Sequence, residues 1–267
     1  MKFGIISAKD IGKAGEVAFK IGKYLTGRGH QVLDKNLDQA EILVTLGGDG
    51  MLLHTACKHV ELGVPFVGIN VGTLGFLTAA EADEWQEAIE KIIGGKYFVS
   101  ERMTLDAKVE SAKLKVQSFR ALNEIVVKGQ YRVVDLEILV NNQKFLTIRG
   151  DGVLVSTPTG STAYSLSAGG PIVDPELDSI LITPVNAHGL PIPSVVLAPE
   201  DEVEIKIVRG DDVSLTLDGQ EHVKVLSGQS VKVLKGKHRV KLIYFDRQQF
   251  LKSLNAKFGL ASRLAGS

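Results

Sequence analysis

A glycine-rich turn after a short apolar run constrains the fold of this chain most strongly. The run at residues 42–46 ends in Gly47-Gly48-Asp49-Gly50, and an amphipathic stretch follows at residues 51–60. This order predicts a strand, a tight turn and the start of a helix. Glycines let the backbone approach a ligand, and a helix N-terminus favours an anion such as phosphate. Because Asp49 places a carboxylate at the same point, two interpretations stay open: an Asp N-cap, or a phosphate site beside an acid.

Strand and helix patterns alternate over the first part of the chain. Apolar runs at residues 2–7, 31–33, 42–46 and 65–69 predict strands, and helical spacing of apolar residues at 11–24 and 84–93 predicts helices. Strands that alternate with helices indicate a parallel sheet covered on both faces. Ligands bind beyond the carboxyl ends of the strands in such sheets. We expect the turn at Asp49 and a second glycine-rich stretch, residues 70–76, to lie at that edge.

The pattern changes after Tyr97. Alternating segments at residues 106–110, 113–116, 137–140, 202–208 and 230–234 predict strands, with hairpin turns at Asn141-Asn142 and Asp218-Gly219. The tail, with a strand at 240–245 and a helix at 247–256, is similar to the first region and is expected to pack back on it. The sequence therefore predicts an α/β domain at residues 1–103, joined by 238–267, and a β-rich domain at residues 104–237.

Charge and cysteine content exclude some classes of partner. Lys and Arg together number 31, as do Asp and Glu, so there is no overall basic field to attract nucleic acid or an anionic membrane. The single cysteine, Cys57, cannot form an intramolecular disulfide, which fits a reducing compartment. The apolar run after Met1-Lys2 is too short for a signal peptide or a membrane span. We expect a soluble, cytoplasmic protein with no nucleic-acid or membrane partner.

Three polar clusters interrupt the β-rich region. Asn123 and Glu124 stand ahead of an apolar run, and Arg149-Gly150-Asp151-Gly152 places opposite charges on either side of a glycine. A solvated strand entry and a plain hairpin turn are the alternatives for these two. The third cluster, residues 156–171, offers hydroxyl and backbone donors to a polyol or a phosphate, and Tyr164 adds a flat face for a heterocycle. An ordinary polar loop is its alternative.

Taken in this order, the motifs resemble those of the NAD kinases. The resemblance rests on Gly47-Gly48-Asp49-Gly50, residues 70–77, Asn123-Glu124 and residues 151–171, and it spans essentially the whole chain. Met51 departs from the family, which usually has Thr or another small polar residue at that position. The resemblance implies a phosphofructokinase-like α/β N-terminal domain and a β-rich C-terminal domain, with a C-terminal segment that returns to the first domain.

The resemblance also implies an activity and a set of site residues. The enzyme would transfer a phosphoryl group from ATP, another nucleotide or polyphosphate to the 2′-hydroxyl of the adenosine ribose of NAD, forming NADP, with Asp49 as the base. A divalent cation, Mg²⁺ above all, and a homo-oligomer, dimer or tetramer, are implied as well. The residues implied to bind NAD are Asp49, Gly50, His54, Phe76, Asn123, Glu124, Arg149, Asp151, Thr159, Thr162, Ala163, Tyr164, Ser165, Leu166, Ser167 and Gln220.

Two other functions use part of the same pattern. A lipid kinase of the diacylglycerol kinase type shares the Gly-Gly-Asp-Gly turn, but it has no use for the hydroxyl-rich stretch at residues 156–171. A non-catalytic sensor could bind NAD or NADP through the same residues, but the presence of Asp49 argues against it. Phosphoryl transfer needs mainly positioning and charge neutralisation, and a glycine cradle, a divalent metal and one carboxylate near the acceptor hydroxyl would meet that need.

Overall fold

The computed structural model describes residues 1–8, 11–72, 75–110, 117–189 and 191–260. The chain divides into two units, of which the first comprises Met1–Glu101 with Val240–Ser267 and the second Arg102–Arg239. Within the described ranges, no helix is both long and apolar enough to cross a membrane. The strand predicted at residues 113–116 lies outside the described residues.

The first unit begins with alternating strands and helices, as predicted. Its elements up to residue 93 are β1 (Lys2–Ser7), α1 (Gly12–Gly27), β2 (Gln31–Leu33), β3 (Ile42–Gly47), α2 (Asp49–His59), β4 (Phe66–Asn70), β5 (Ala80–Glu81) and α3 (Trp85–Ile93). Every residue of β3 and β4 is buried, as expected for central strands that are covered on both faces. Helix α1 buries Ala14, Val17, Ile21 and Leu25, which recur at helical spacing.

The strands of the first unit form a parallel sheet in the order β2-β1-β3-β4. The last residues of the two central strands, Gly47 and Asn70, are register partners. The turn after β3 and the glycine-rich stretch after β4 therefore start side by side at the carboxyl edge of the sheet. Apolar side chains from α1, α3 and the strands, among them Phe3 and Ile89, fill the core behind this edge.

The chain continues as a mostly β structure. The elements in this part are β6 (Phe98–Glu110), β7 (Gln117–Ala121), β8 (Glu124–Gly129), β9 (Val134–Val140), β10 (Gln143–Gly150), β11 (Gly152–Ser156), α4 (Tyr164–Ser167), β12 (Ile180–Val185), β13 (Val195–Leu197), β14 (Val203–Arg209), β15 (Val213–Leu217), β16 (Glu221–Val225) and β17 (Ser230–Tyr244). Alternating apolar residues, such as those of β9 and β14, face a shared core.

The second unit contains an antiparallel sheet of six strands in the order β13-β12-β11-β8-β15-β16. Its central pair aligns Glu124 of β8 with Ser156 of β11. The other strands include the antiparallel path β10-β9-β14-β17. Both predicted hairpin turns are present: Asn141, Asn142, Asp218 and Gly219 all have φ between 49° and 68°, as a tight hairpin turn requires.

One long strand replaces two predicted segments near the end of the chain. The sequence predicted separate strands at residues 230–234 and 240–245, whereas β17 runs without a break from Ser230 to Tyr244. Gly236 sits within this strand because the side chain of Thr104 passes close to it. An added Cβ would lie 2.1 Å from the Thr104 Oγ1 atom, and that hydroxyl donates a hydrogen bond to the carbonyl of His238. The glycine marks a close contact and not a chain break.

The C-terminal segment returns to the first unit. Leu242 of β17 pairs in parallel with Phe66 of β4, and α5 (Gln249–Phe258) follows. The predicted fold class, an α/β domain and a β-rich domain with a returning C-terminal segment, is therefore confirmed.

Candidate active site

The side chain of Asp49 is held at the carboxyl edge of the first unit's sheet. Asp49 is the first residue of α2, directly after β3. Its Oδ2 atom accepts a hydrogen bond of 2.7 Å from the backbone N–H of Phe76, and Oδ1 accepts one of 3.0 Å from the backbone N–H of Leu77. The two carboxylate oxygens are thus bound by backbone of the last residue of the second glycine-rich stretch, Phe76, and of the residue after it, Leu77. The two glycine-rich motifs, which were predicted to lie at the same edge of the sheet, are therefore joined by hydrogen bonds.

Gly75 is required by this arrangement. A Cβ atom built on Gly75 would lie 2.0 Å from Oδ1 and 2.7 Å from Oδ2 of Asp49. The stretch after β4 is held at its start by Asn70, a fully buried residue whose amide nitrogen donates to both carboxylate oxygens of Glu81 at 2.9 and 3.1 Å. The amide oxygen of the same side chain accepts a hydrogen bond from the N–H of Gly72.

The N-terminus of α2 carries no side-chain cap. Its N-cap residue is Gly48, which has no side chain, and the acidic residue of the first turn is Asp49 itself. Gly50 and His54, both predicted site residues, are exposed on this helix. A helix end of this kind, with exposed residues along its first turns, favours an anionic group.

Phe76 contacts the last turn of α5. The ammonium nitrogen of Lys257 lies 4.3 Å from the centre of the Phe76 ring, and the ring of Phe258 lies 6.3 Å from it at a tilt of 33°. Phe76 therefore uses its backbone to hold Asp49 and its ring to contact the C-terminal helix.

In the second unit, Asp218 holds the backbone that carries Asn123 and Glu124. Its carboxylate accepts hydrogen bonds from the N–H groups of Leu122, Asn123 and Glu124 at 2.9, 2.7 and 3.1 Å. The N–H of Asp218 in turn donates to the carbonyl of Glu124. The sequence predicted Asp218 only as part of a hairpin turn, so this positioning role was missed.

The carbonyl groups of Leu122 and Asn123 accept hydrogen bonds from the hydroxyl-rich stretch at residues 156–171. Thr157 donates through Oγ1 to the carbonyl of Leu122 at 2.6 Å and through its N–H to the carbonyl of Asn123 at 2.9 Å. Its Oγ1 also accepts a hydrogen bond from the N–H of Gly160. A Cβ on Gly160 would lie 2.1 Å from the Asn123 carbonyl oxygen, so only glycine fits there. Thr157 was also missed as a positioning residue.

Several buried polar atoms at or near the backbone that Asp218 and Thr157 hold have no hydrogen-bond partner. They are Asn123 Oδ1, Glu124 Oε2, Ser156 Oγ and Thr159 Oγ1. Asn123 and Glu124 are 8% and 5% exposed, which rules out a solvated strand entry. Because a buried polar group without a partner is costly, such a cluster fits a polar ligand that would supply the missing partners.

Burial raises the pKa of the Glu124 carboxyl from 4.5 to about 8, and the negative charge of Asp218 contributes to the increase. The carboxyl is therefore largely protonated at neutral pH. Burial also raises the pKa of the Tyr164 phenol, and the negative charges of Asp151 and Glu124 raise it further.

The ring of Tyr164 packs against the apolar cluster of Val126, Leu154 and Val185. The ammonium of Lys128 lies 5.8 Å from the centre of that ring.

Two serines of the hydroxyl-rich segment are occupied by internal hydrogen bonds. Ser161 Oγ donates to the carbonyl of Val173 and accepts from its N–H. Ser165 Oγ lies 3.1 Å from Oγ1 of Thr183, and both are buried. A ligand would therefore meet the backbone of Ser165 and not a free hydroxyl.

The remaining predicted site residues lie around this segment or apart from it. Thr162 and Ala163 link the turn at Thr159 to the short helix α4, which carries Leu166 and the exposed Ser167. Asp151 accepts a 2.7 Å hydrogen bond from Asn186, and Gln220 is exposed in the turn after Asp218. Arg149 lies on β10, where its guanidinium binds Asp135 at 2.8 Å.

Among the residues that the structure describes, no group of three or more His, Cys, Asp or Glu side chains could hold a metal ion. Both oxygens of Asp49 already accept backbone hydrogen bonds. A divalent cation in a phosphoryl-transfer site is commonly held by one or two carboxylates together with phosphate oxygens of the substrate, so it does not require such a group.

Two family models match the sequence. Residues 21–97 match the family described as ATP-NAD kinase N-terminal domain, and residues 122–245 match the one described as ATP-NAD kinase C-terminal domain. A NAD kinase of Geobacter metallireducens is 41% identical over 240 residues, which cover 89% of this chain and 85% of that protein. A NAD kinase of Clostridium perfringens is 37% identical over an alignment of 269 positions, which covers 95% of this chain and 97% of that protein.

Two solved structures are similar in fold. A NAD kinase from Archaeoglobus fulgidus in complex with ATP has a TM-score of 0.77 and 25% identity, covering 94% of this chain and 96% of that one. A yeast NADH kinase complexed with NADH has a TM-score of 0.87 and 22% identity, covering 98% and 88%. The second likeness concerns the fold alone.

Proposed function

Because the chain belongs to the NAD kinase family, we propose that Asp49 is the base that accepts the proton of the 2′-hydroxyl of the adenosine ribose of NAD. The function of the chain is that of the family: it is an enzyme, a phosphotransferase with an alcohol group as acceptor. The observation that supports Asp49 is the pair of backbone hydrogen bonds that fix its carboxylate at the uncapped N-terminus of α2.

The chemistry places modest demands on this residue. The 2′-oxygen forms a bond to the terminal phosphorus of the donor, and the bond from that phosphorus to its bridging oxygen breaks. With ATP as donor, ADP leaves with the electron pair and Asp49 takes the hydroxyl proton. Since the transition state of phosphoryl transfer is generally loose, Asp49 mainly orients the hydroxyl and accepts the proton late.

We further propose that residues of the second unit bind NAD. The buried and unpartnered oxygens of Asn123 and Glu124 are suited to hydroxyl and amino groups of the adenosine part, and the exposed part of the Tyr164 ring is suited to a flat base. The proposed set is Asp49, Gly50, His54, Phe76, Asn123, Glu124, Arg149, Asp151, Thr159, Thr162, Ala163, Tyr164, Ser165, Leu166, Ser167 and Gln220. In this set, Ser165 acts through its backbone, and Arg149 must exchange its bond with Asp135 for one with the ligand.

We propose ATP as the phosphoryl donor, with another nucleotide or polyphosphate as alternatives. A divalent cation, Mg²⁺ in the first place, is proposed to bind mainly through the donor's phosphate oxygens, where it neutralises charge.

We also propose that the protein is cytoplasmic and that it is a homo-oligomer, either a dimer or a tetramer. Sedimentation of the purified protein over a range of concentrations tests the oligomer, and a monomer at all concentrations would contradict it.

The activity assay is direct. Purified protein is incubated with NAD, Mg²⁺ and either ATP or polyphosphate, and NADP is measured with a NADP-specific dehydrogenase. NADP formation that needs both NAD and a donor is the expected result. Binding of NAD without any NADP formation would contradict the proposed role of Asp49 and indicate a sensor.

A further inference from the structure

Lys257 is an exposed cation in the last turn of α5, and it lies over the ring of Phe76. Its ammonium nitrogen is 4.3 Å from the ring centre. In the described part of the chain, no carboxylate lies within ion-pair distance of this ammonium. Lys252, on the same helix, differs in this respect because its ammonium binds the carboxylate of Asp246. Lys257 thus keeps its charge available for an anion.

The position of Lys257 is fixed relative to Asp49 through a single residue. Phe76 donates its backbone N–H to Asp49 Oδ2 at 2.7 Å and presents its ring to the ammonium. Phe258 packs on the same ring, and the helix ends immediately afterwards at Gly259, whose φ is +61°. The end of α5 is therefore attached to the stretch that holds the proposed base.

We propose that Lys257 binds phosphate oxygens of the phosphoryl donor, an inference that rests on the proposed role of Asp49. The transferred phosphoryl group must approach the hydroxyl that Asp49 orients, so negative charge arrives beside Phe76. A lysine ammonium is a point charge on a flexible stem, and it can follow a phosphate as the bond to the bridging oxygen breaks. ATP and polyphosphate share the terminal phosphate chain, so the proposal covers both donors.

The test compares steady-state kinetics of Lys257→Met with those of the unchanged protein. Met keeps an apolar stem over Phe76 and removes the charge. We expect the KM for MgATP to rise about tenfold, the size of one lost charge-assisted contact, while the KM for NAD changes less than about twofold. Lys257→Arg should restore most of the ATP affinity. The same series with tripolyphosphate in place of ATP shows whether the contact is common to both donors.

Lys252→Met is the matched control because it removes a lysine from the same helix, and we expect it to leave the KM for ATP unchanged. An unchanged KM for ATP in Lys257→Met would overturn the proposal, and so would a rise in the KM for NAD alone. A loss of kcat that Arg does not restore, with no change in KM, would also overturn it, because it would indicate packing on Phe76 and not donor binding. Should Lys257→Met fail to fold, as judged by circular dichroism, Lys257→Gln replaces it.

A second measurement separates this proposal from the role of Asp49. Binding of MgATP is measured by calorimetry in the Asp49→Asn background, with and without Lys257→Met. A dissociation constant about tenfold weaker in the double variant supports the contact without any need for turnover. Equal dissociation constants would overturn it, whatever the activity of Asp49→Asn proves to be.

Discussion

The backbone of Gly75 and the carboxylate of Asp49 are in such close contact that a Cβ on Gly75 would lie 2.0 Å from Asp49 Oδ1. The N–H groups of the next two residues, Phe76 and Leu77, bind the two oxygens of that carboxylate. Residues 75–77 thus lie directly against Asp49, and the proposed base is oriented by the backbone N–H groups of Phe76 and Leu77.

Gly75→Ala should therefore damage catalysis, although Gly75 itself is not among the residues proposed to bind NAD. The methyl group must displace the Asp49 carboxylate or the backbone, and a misplacement of about 1 Å costs about 10²-fold in rate. Gly72→Ala is the matched control, because an added Cβ there would meet nothing closer than Asn70 Oδ1 at 3.9 Å. Steady-state kinetics of both variants check this prediction, and equal kcat values for the two would contradict it.

Asp218→Ala should weaken NAD binding although Asp218 is proposed as a positioning residue only. Three N–H groups at Leu122, Asn123 and Glu124 lose their acceptor, and we expect the free energy of unfolding to fall by about 1–3 kcal/mol. The KM for NAD should rise more than kcat falls. Asp218→Asn keeps one acceptor oxygen and tolerates the positive φ, so it should show a smaller change in KM. Identical KM values for NAD in all three proteins would contradict the positioning role.

The raised pKa of Glu124 predicts a pH dependence of stability. Because its pKa rises from 4.5 to about 8 on folding, the folded state holds the proton more tightly than the unfolded state. The contribution of Glu124 to the free energy of unfolding is therefore full below about pH 4.5. As pH increases from there to about 8, it falls by up to about 1.4 kcal/mol per pH unit. Glu124→Gln should remove this decline, as measured by urea unfolding at pH 6 and 8.5 in both proteins. A decline of equal size in the variant would assign it to another group.

The same carboxyl should make NAD binding depend on pH. Hydroxyl groups of the ribose donate to the charged form, so NAD affinity should increase as pH rises towards about 8 and then level off. Glu124→Gln should bind NAD more weakly and with little pH dependence. Calorimetric titrations between pH 6 and 9 provide the measurement, and a flat profile in the unchanged protein would show that NAD does not bind to this carboxylate.

The fold was predictable because its signals are local. The buried run of β3, the helical spacing in α1 and the turn residues Asn141 and Asn142 each determine their own conformation. The continuous β17 was not predicted, because the sequence indicated separate strands at residues 230–234 and 240–245. The glycine between them, Gly236, lies against the side chain of Thr104, which is far away in sequence.

Site residues were predictable where a short sequence motif indicates a chemical role. They were not predictable where a residue binds backbone that is distant in sequence. Asp49, Asn123 and Glu124 were found from short motifs. Asp218 holds Asn123 from 95 residues further along the chain, and no local pattern distinguishes it from any other Asp-Gly hairpin turn. The bond between Arg149 and Asp135 likewise depends on the pairing of β9 and β10.

The most direct test of the central claim is the turnover number of Asp49→Asn with saturating NAD and MgATP. Asn is nearly isosteric with Asp, but it cannot accept the proton of the 2′-hydroxyl. We expect kcat to fall by about 10²–10⁴-fold, while the dissociation constant for NAD, measured by calorimetry on the same preparation, stays within about threefold of its original value. A kcat close to that of the unchanged protein would show that Asp49 is not the base.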